Sequence, residues 1–329
     1  MNEKLNLFYE EPETDRWLPL DRYPRRLIRR LMRGKPRVGG QRRVFLNLCA
    51  GLDKLGVEYR VNDYQHIKSH RKELACIIGK PHVLNKIQWE NPILFGAAVY
   101  SHPMDDSDLL KRLSIRKVLV PGEWMRKMCG PFYGDAVVAW PVGIDTDKWQ
   151  PSSSDHKTTD ILIYDKVLWE HDRYESELLQ PIREELKRRK HSFSEIRYGF
   201  YKEEDFHRRL QQCRAMIFLC EHETQGIAYQ QALSCGVPIL AWDQGGFWRD
   251  PAYYPHKVKF APVSSVPYWD ERCGVKFEKA GDFSEKLDRF QERLNRDEFR
   301  PRDYILENLT LEKSSQEYVR LCKQAMVEE

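Results

Sequence analysis

The chain has 329 residues, 41% hydrophobic and 12% aromatic, with a net charge of +4. That length is ample for two domains with sizeable cores, the near-neutral balance excludes a uniformly basic, nucleic-acid-coating surface, and no apolar run of about 18 residues offers a membrane span. Acidic residues in MNEKLNLFYEEPETDRW argue against a secretory signal, and eight scattered cysteines without a C-x-x-C pair read as reduced, buried thiols of a cytoplasmic protein.

In chain order, LNLFY (5–9) predicts a first strand. RYPRRLIRRLMRGKPRVGG follows, with Leu27, Ile28, Leu31 and Met32 on one helical face and Arg25, Arg26, Arg29, Arg30 and Arg33 on the other. Arg22 to Arg43 holds ten basic residues and no acidic ones. Gly39-Gly40 opens a helix, QRRVFLNLCAGLDKLG. VEYRVN, ACIIG (75–79), PILFGAAVY (92–100), KVLV (117–120) and DAVVAW (135–140) predict strands, with EWMRKMC a helix between the last two. PSSSDHKTTD (151–160) reads as a linker. Beyond it TDILIYD, EIRYGFY, AMIFLC, VPILAWD and VKFAPV predict strands. RYESELLQPIREELKRRK (irregular at Pro181), EEDFHRRLQQC, GIAYQQALSC, FSEKLDRFQERLN and LEKSSQEYVRLCKQAM predict helices. Strands alternating with helices on both sides of a linker predict two doubly wound α/β domains.

Such sheets bind ligands beyond the carboxyl ends of their strands. That places the stretch CEHETQGIAYQQALSCGVP (220–238) at a site, because Glu223 follows a strand and precedes a helix. Free N–H groups at the start of that helix, near Gln225, Gly226 and Ile227, favour a phosphate. A carboxylate beside a phosphate suits hydroxyl groups attached to it, and Gln231 can meet a second hydroxyl-bearing group. A sugar, a diphosphate and a ribose fit in that order. The plain alternative is an ordinary α/β crossover.

These residues resemble the glutamate–seven residues–glutamate motif of retaining GT-B glycosyltransferases, especially family four. Glu223, Gly226, Ala232, Gly236 and Pro238 match in place, whereas Gln231 stands where the family has its second glutamate. WPVGIDTDKWQP (140–151) is similar to the element that closes the family's N-terminal domain. Gly39-Gly40 is similar to its N-terminal glycine loop, and CGVKF followed by two helices follows its terminal order. The resemblance implies two Rossmann-like domains facing a cleft (GT-B): residues 1–152 on the acceptor side, 153–305 on the nucleotide-sugar side, and a helix over 306–329 packing back on the first.

The resemblance further implies that Glu223 holds the donor sugar and Gln231 the ribose. Exchanging a charged hydrogen-bond acceptor for a neutral one loses about 1 kcal/mol, near tenfold in donor affinity. The family's Arg/Lys pair for the leaving diphosphate has Lys166 as its best-placed counterpart and Arg173 as the next. His102, after an N-domain strand, matches the family's sugar- or acceptor-orienting histidine, with His82 weaker.

Other signals carry less. Asp106-Ser107-Asp108 is a D-x-D pattern that reads as a helix start, and His66 and His70, one turn apart, show no evident third ligand. No metal or other cofactor is therefore expected, the nucleotide-sugar being a substrate. The arginine face (Arg25, Arg26, Arg29, Arg30, Arg33) suits an anionic membrane surface better than nucleic acid. The reading is a cytoplasmic, membrane-peripheral, retaining and metal-independent glycosyltransferase of the hexosyltransferase type, in polysaccharide biosynthesis. Its donor is a nucleotide-sugar and its acceptor a glycan, lipid-linked or other hydroxyl compound. Alternatives are a nucleotide-sugar epimerase on the same fold or a non-catalytic sugar-nucleotide- or glycan-binding protein.

Overall fold

A computed structural model of the chain describes residues 4–11, 39–97, 100–153 and 156–327. The arginines of the expected basic face, Arg25 to Arg33, lie outside the described residues. The chain forms two compact units: residues 1–121, 126–142 and 314–329 in the first, and 122–125 and 143–313 in the second.

The first unit carries a six-stranded parallel sheet of order β2-β1-β3-β4-β5-β6. Its strands are β1 (Leu5–Phe8), β2 (Tyr59–Val61), β3 (Ala75–Ile77), β4 (Ile93–Gly96), β5 (Ile115–Val120) and β6 (Val137–Ala139). Helix α1 (Gly40–Lys54) joins β1 to β2 in sequence and buries Val44, Leu48 and Leu52 at i, i+4, i+8. It begins at Gly40 as the glycine pair predicts. Helix α2 (Tyr64–Ser69) follows β2, α3 (Leu109–Arg112) precedes β5, and α4 (Glu123–Tyr133) precedes β6. The C-terminal segment belongs to this unit through Trp140. Its indole Nε1 donates to the Ser314 carbonyl at 3.0 Å, and its ring lies 4.9 Å from Tyr318.

The second unit carries a five-stranded parallel sheet of order β11-β10-β9-β7-β8. Its strands are β7 (Thr159–Lys166), β8 (Phe193–Arg197), β9 (Cys213–Cys220), β10 (Ile239–Trp242) and β11 (Gly274–Phe277). Helices α5 (His171–Tyr174) and α6 (Gln180–Arg188) cross from β7 to β8, with a π-helical turn, Glu175–Leu179, between them where irregularity is expected ahead of Pro181. Then come α7 (Glu203–Gln212), α8 (Ile227–Ser234), α9 (Phe283–Asn295) and α10 (Pro301–Asn308), and the chain ends in α11 (Leu311–Val327), which belongs to the first unit from Ser314 on.

The central strands are buried on both faces, as a parallel sheet covered by helices requires, and successive residues feed opposite cores. Ile161, Ile163, Ile217, Leu219 and Leu240 pack with Leu178, Ile182, Leu287 and Phe290. Leu162, Tyr164, Met216, Phe218 and Ile239 pack with Phe206, Leu210, Tyr229, Leu233 and Ile305.

Two expectations need correction. VKFAPV (258–263) is not a strand; Pro262 has no N–H for a ladder, and its neighbours bond a loop instead, with Trp248 N–H to the Phe260 carbonyl at 2.8 Å. The fifth strand is Gly274–Phe277, from CGVKF. Helix α10 is absent from the expected elements: it has Pro301 at its first position and only a weak apolar stripe.

The WPVGID stretch shows why its glycine matters. A Cβ on Gly143 would stand 2.3 Å from the Thr310 carbonyl oxygen, and the next residue, Ile144, bridges to Thr310. All eight cysteines are free, and seven are buried. Among the described residues no helix is long and apolar enough to cross a membrane.

Candidate functional site

In the second sheet the winding reverses between β7 and β9, which are neighbours although β8 lies between them in sequence. The carboxyl ends of the strands at such a reversal form the ligand crevice of doubly wound sheets. Lys166, the last residue of β7, pairs in register with Cys220, the last residue of β9. Three residues further on stands Glu223.

Lys166 and Glu223 meet directly: the ammonium donates to the Glu223 carboxylate in a largely buried ion pair. The same Nζ lies 4.6 Å from the Tyr198 ring centroid. Burial opposes the charge on Lys166, but the Glu223 carboxylate more than offsets it and holds the lysine pKa above its ordinary value. Backbone bonds fix Glu223. Its N–H donates to the Ser264 carbonyl at 2.9 Å, and its own carbonyl accepts from Trp124 Nε1 at 2.7 Å.

Neighbours stiffen both loops. Buried Glu221 accepts the N–H groups of Leu168 and Trp169 at 2.9 and 2.8 Å, lashing the loop after β7 to the loop after β9. Burial raises the pKa of Glu221, although these bonds favour its charged form. Asp165 accepts from the Val167 N–H at 3.0 Å and from His171 Nε2 at 2.8 Å. His222 lies 5.6 Å from Trp124 and 4.9 Å from Trp169, between rings, with both nitrogens buried and without a hydrogen-bond partner. Burial, and then the Lys166 charge, push its pKa down to about 4.

Helix α8 opens at Gly226, whose φ of 86° is left-handed. A Cβ there would meet Tyr229 Cε1 at 2.1 Å, so the position requires glycine on both counts. Tyr229 is itself held: its hydroxyl donates to the Tyr268 carbonyl at 3.1 Å and accepts the Tyr268 N–H at 3.0 Å. Gln225 is buried in a reciprocal amide pair. Its Nε2 donates to Gln230 Oε1, and Gln230 Nε2 donates to the Gln225 carbonyl, each at 3.0 Å. Gln231 is buried in the body of α8, and Ile227 is the first residue of that helix.

The structure thus joins Lys166 to Glu223 and sets Gln225, Gly226, Ile227 and Gln231 on the segment that follows. Arg173 is exposed on α5, its guanidinium engaged by Glu177 at 3.0 Å and Glu170 at 3.6 Å. His102, Gly39 and Gly40 belong to the first unit. His102 is buried and caps a short 3-10 turn, its Nδ1 accepting the Met104 N–H at 3.1 Å. Burial lowers its pKa, against the pull of Asp105. Gly39 and Gly40 are exposed, with open space where a Cβ would stand. The D-x-D acids hold local partners: Asp106 accepts from Tyr100 at 2.6 Å and from Arg112, while Asp108 pairs with Lys111 at 2.8 Å.

Sequence reasoning missed Trp124, Trp169, Glu221 and His222. Only the clustering of EHE next to a strand end signals the last two. No third group beside His66 and His70 is evident in the sequence; the structure brings Glu73 to them, with one nitrogen or oxygen of each within 4.8 Å of the others.

No protein-family model matches the chain, and no curated protein matches it. Solved structures do. AviGT4, a glycosyltransferase involved in avilamycin A biosynthesis, aligns over 98% of this chain and 98% of its own, with a TM-score of 0.51 and 12% identity. A point mutant of S. aureus TarM, solved with fondaparinux, alpha-GlcNAc-glycerol and UDP, aligns over 78% of this chain and 57% of its own, with a TM-score of 0.53 and 13% identity. The pneumococcal O-GlcNAc transferase GtfA, solved with UDP and GlcNAc, aligns over 80% of this chain, with a TM-score of 0.51 and 12% identity. This chain spans 60% of that GtfA chain and 55% of the matched chain of the Streptococcus pneumoniae accessory secretory protein 1, 2 and 3 structure. At these identities the likeness is one of fold. The chain has a two-domain Rossmann-like fold, the fold of these solved glycosyltransferases.

Proposed function

We propose that the chain is a glycosyltransferase that moves a sugar from a nucleotide-sugar donor to a hydroxyl acceptor, a glycan or lipid-linked compound, with retention and without a metal on the diphosphate. The observation that carries this reading is the Lys166–Glu223 pair at the strand reversal of the second sheet. Solved proteins of the same fold bind UDP and sugar ligands, which supports a UDP-sugar as the first donor to try.

Paired with one another, the two charges are neutralised. A bound donor divides them. Lys166, with the N–H groups at Gly226 and Ile227, faces the diphosphate and stabilises the negative charge that grows there as the glycosidic bond breaks. Glu223, released from the lysine, accepts hydrogen bonds from the donor sugar's hydroxyls and fixes its orientation. Gln231 meets the ribose through its amide oxygen. The acceptor hydroxyl attacks from the face the phosphate leaves, and the acceptor's proton passes to the departing diphosphate.

Nucleotide release from UDP-, GDP- and ADP-sugars, measured with and without EDTA, tests this. Turnover of one donor, untouched by EDTA and accelerated by a glycan or lipid extract, is expected. Loss of turnover in EDTA would refute the metal-free reading. Donor conversion that no acceptor affects and that releases no nucleotide would identify an epimerase. Donor binding without any turnover would leave a binding protein.

A further inference from the structure

The first unit holds a cluster that the proposed reaction does not use. His66 lies in α2, His70 closes that helix, and Glu73 stands in the turn leading to β3. One ligand atom from each lies within 4.8 Å of the others. The two imidazoles are stacked, with centroids 3.9 Å apart and planes 17° from parallel. His66 Nε2 is 2.8 Å from Glu73 Oε2.

The surroundings aim these groups. His70 Nδ1 lies 2.8 Å from the His66 carbonyl and 3.0 Å from Ser69 Oγ. A proton on Nδ1 satisfies the carbonyl, and that tautomer leaves Nε2 with its lone pair outward. A ligating histidine is characteristically oriented in this way, by a bond from its second nitrogen. Glu73 is aimed by buried Asn6, whose Nδ2 donates to Oε2 at 2.9 Å. The turn is held by Asn91, which is 2% exposed. Its Nδ2 reaches the carbonyls of Ile67, His70 and Glu73 at 3.3, 2.9 and 3.1 Å. The Asp63 side chain caps the start of α2 by accepting the His66 N–H at 3.0 Å.

We infer that His66, His70 and Glu73 form a site for a divalent transition ion of the zinc class, which ties α2 to the turn before β3. Two imidazoles and one carboxylate suit zinc, and a three-ligand set leaves one position for water. The ion takes the place of the hydrogen bond between His66 Nε2 and Glu73, the neutral His66 imidazole then carrying its one proton on Nδ1.

The test uses the full-length, untagged protein, freed of metal and titrated with Zn2+ by calorimetry. One ion per chain is expected, and the Co2+-loaded protein should show the visible absorption of a nitrogen- and oxygen-ligated site. His70→Ala changes an exposed residue and leaves the buried frame intact; it should weaken Zn2+ binding at least about tenfold, and Glu73→Gln by as much. Zn2+ should also raise the unfolding temperature of the parent and not of His70→Ala. No Zn2+ binding at about a hundred micromolar, where a three-ligand site should be filled, would overturn the inference. Binding that both substitutions leave unchanged would overturn it too, by placing the ion elsewhere.

Discussion

His222 makes the second unit's stability depend on pH in a calculable way. Its ring lies against Trp124 and Trp169, both nitrogens are buried without partners, and its pKa falls from an ordinary 6.5 to about 4. The native state therefore carries neutral imidazole where the unfolded chain binds a proton. Stability rises with pH wherever the unfolded state binds more protons, so it is fully present above pH 6.5 and is lost as pH falls toward 4. At about 1.4 kcal/mol for each pH unit, the whole window is worth about 3 kcal/mol, and falling from about pH 7.5 to about pH 5 costs about 2 kcal/mol. His222→Phe keeps a ring between the tryptophans and removes the titration. Urea unfolding followed by tryptophan fluorescence at both pH values reads the difference, and other groups' contributions cancel between the two proteins. The variant should lose about 2 kcal/mol less than the parent on acidification. Equal losses would refute the claim that this imidazole is held neutral by its surroundings.

Lys166→Ala and Glu223→Ala should each lower donor turnover by about a hundredfold, the scale of one oriented electrostatic contact; a nucleotide-release assay showing parental rates in either removes that residue from the chemistry. Gly226→Ala should destabilise the second unit by about 2–4 kcal/mol, combining a left-handed backbone cost with a clash against the anchored Tyr229 ring. Gly199→Ala, at a φ of 83° but with open space around it, should cost only the backbone part, about 1 kcal/mol, and equal urea midpoints for the two would refute the packing argument. Gln231→Glu should tighten donor binding up to about tenfold by restoring a charged acceptor for the ribose, measured by competition with the free nucleotide; an unchanged affinity would show that the residue does not meet the ribose.

Much of the second sheet is legible in the sequence because parallel strands buried on both faces leave short, continuous apolar runs, as in DILIYD and AMIFLC. The loop 258–263 has the same apolar composition without the pairing, so composition alone misplaces a strand there. The neighbourhood of the site is harder to read. Trp124 bonds a carbonyl 99 residues away in sequence, and Glu221 is distinguished from any acid after a strand only by the two N–H groups it accepts from the other loop. Lys166 and Glu223 stand out separately in the sequence as strand-end charges, but their direct pairing depends on β7 and β9 lying side by side. Glu73 shows the same limit at short range. The spacing from His70 is visible, whereas the turn that brings its carboxylate to His66 is set by Asn91, in the loop before β4, and Asn6, in β1.

The mutual neutralisation of Lys166 and Glu223 has a consequence for turnover order. Under the proposed function, a free nucleoside diphosphate would recruit the lysine but offer the glutamate nothing, leaving a carboxylate of 7% exposure without its counter-ion. An intact donor would supply partners for both. The proposed site would thus favour substrate over spent nucleotide without contacting the bond that distinguishes them, and the lysine's return to the glutamate would help to expel the product.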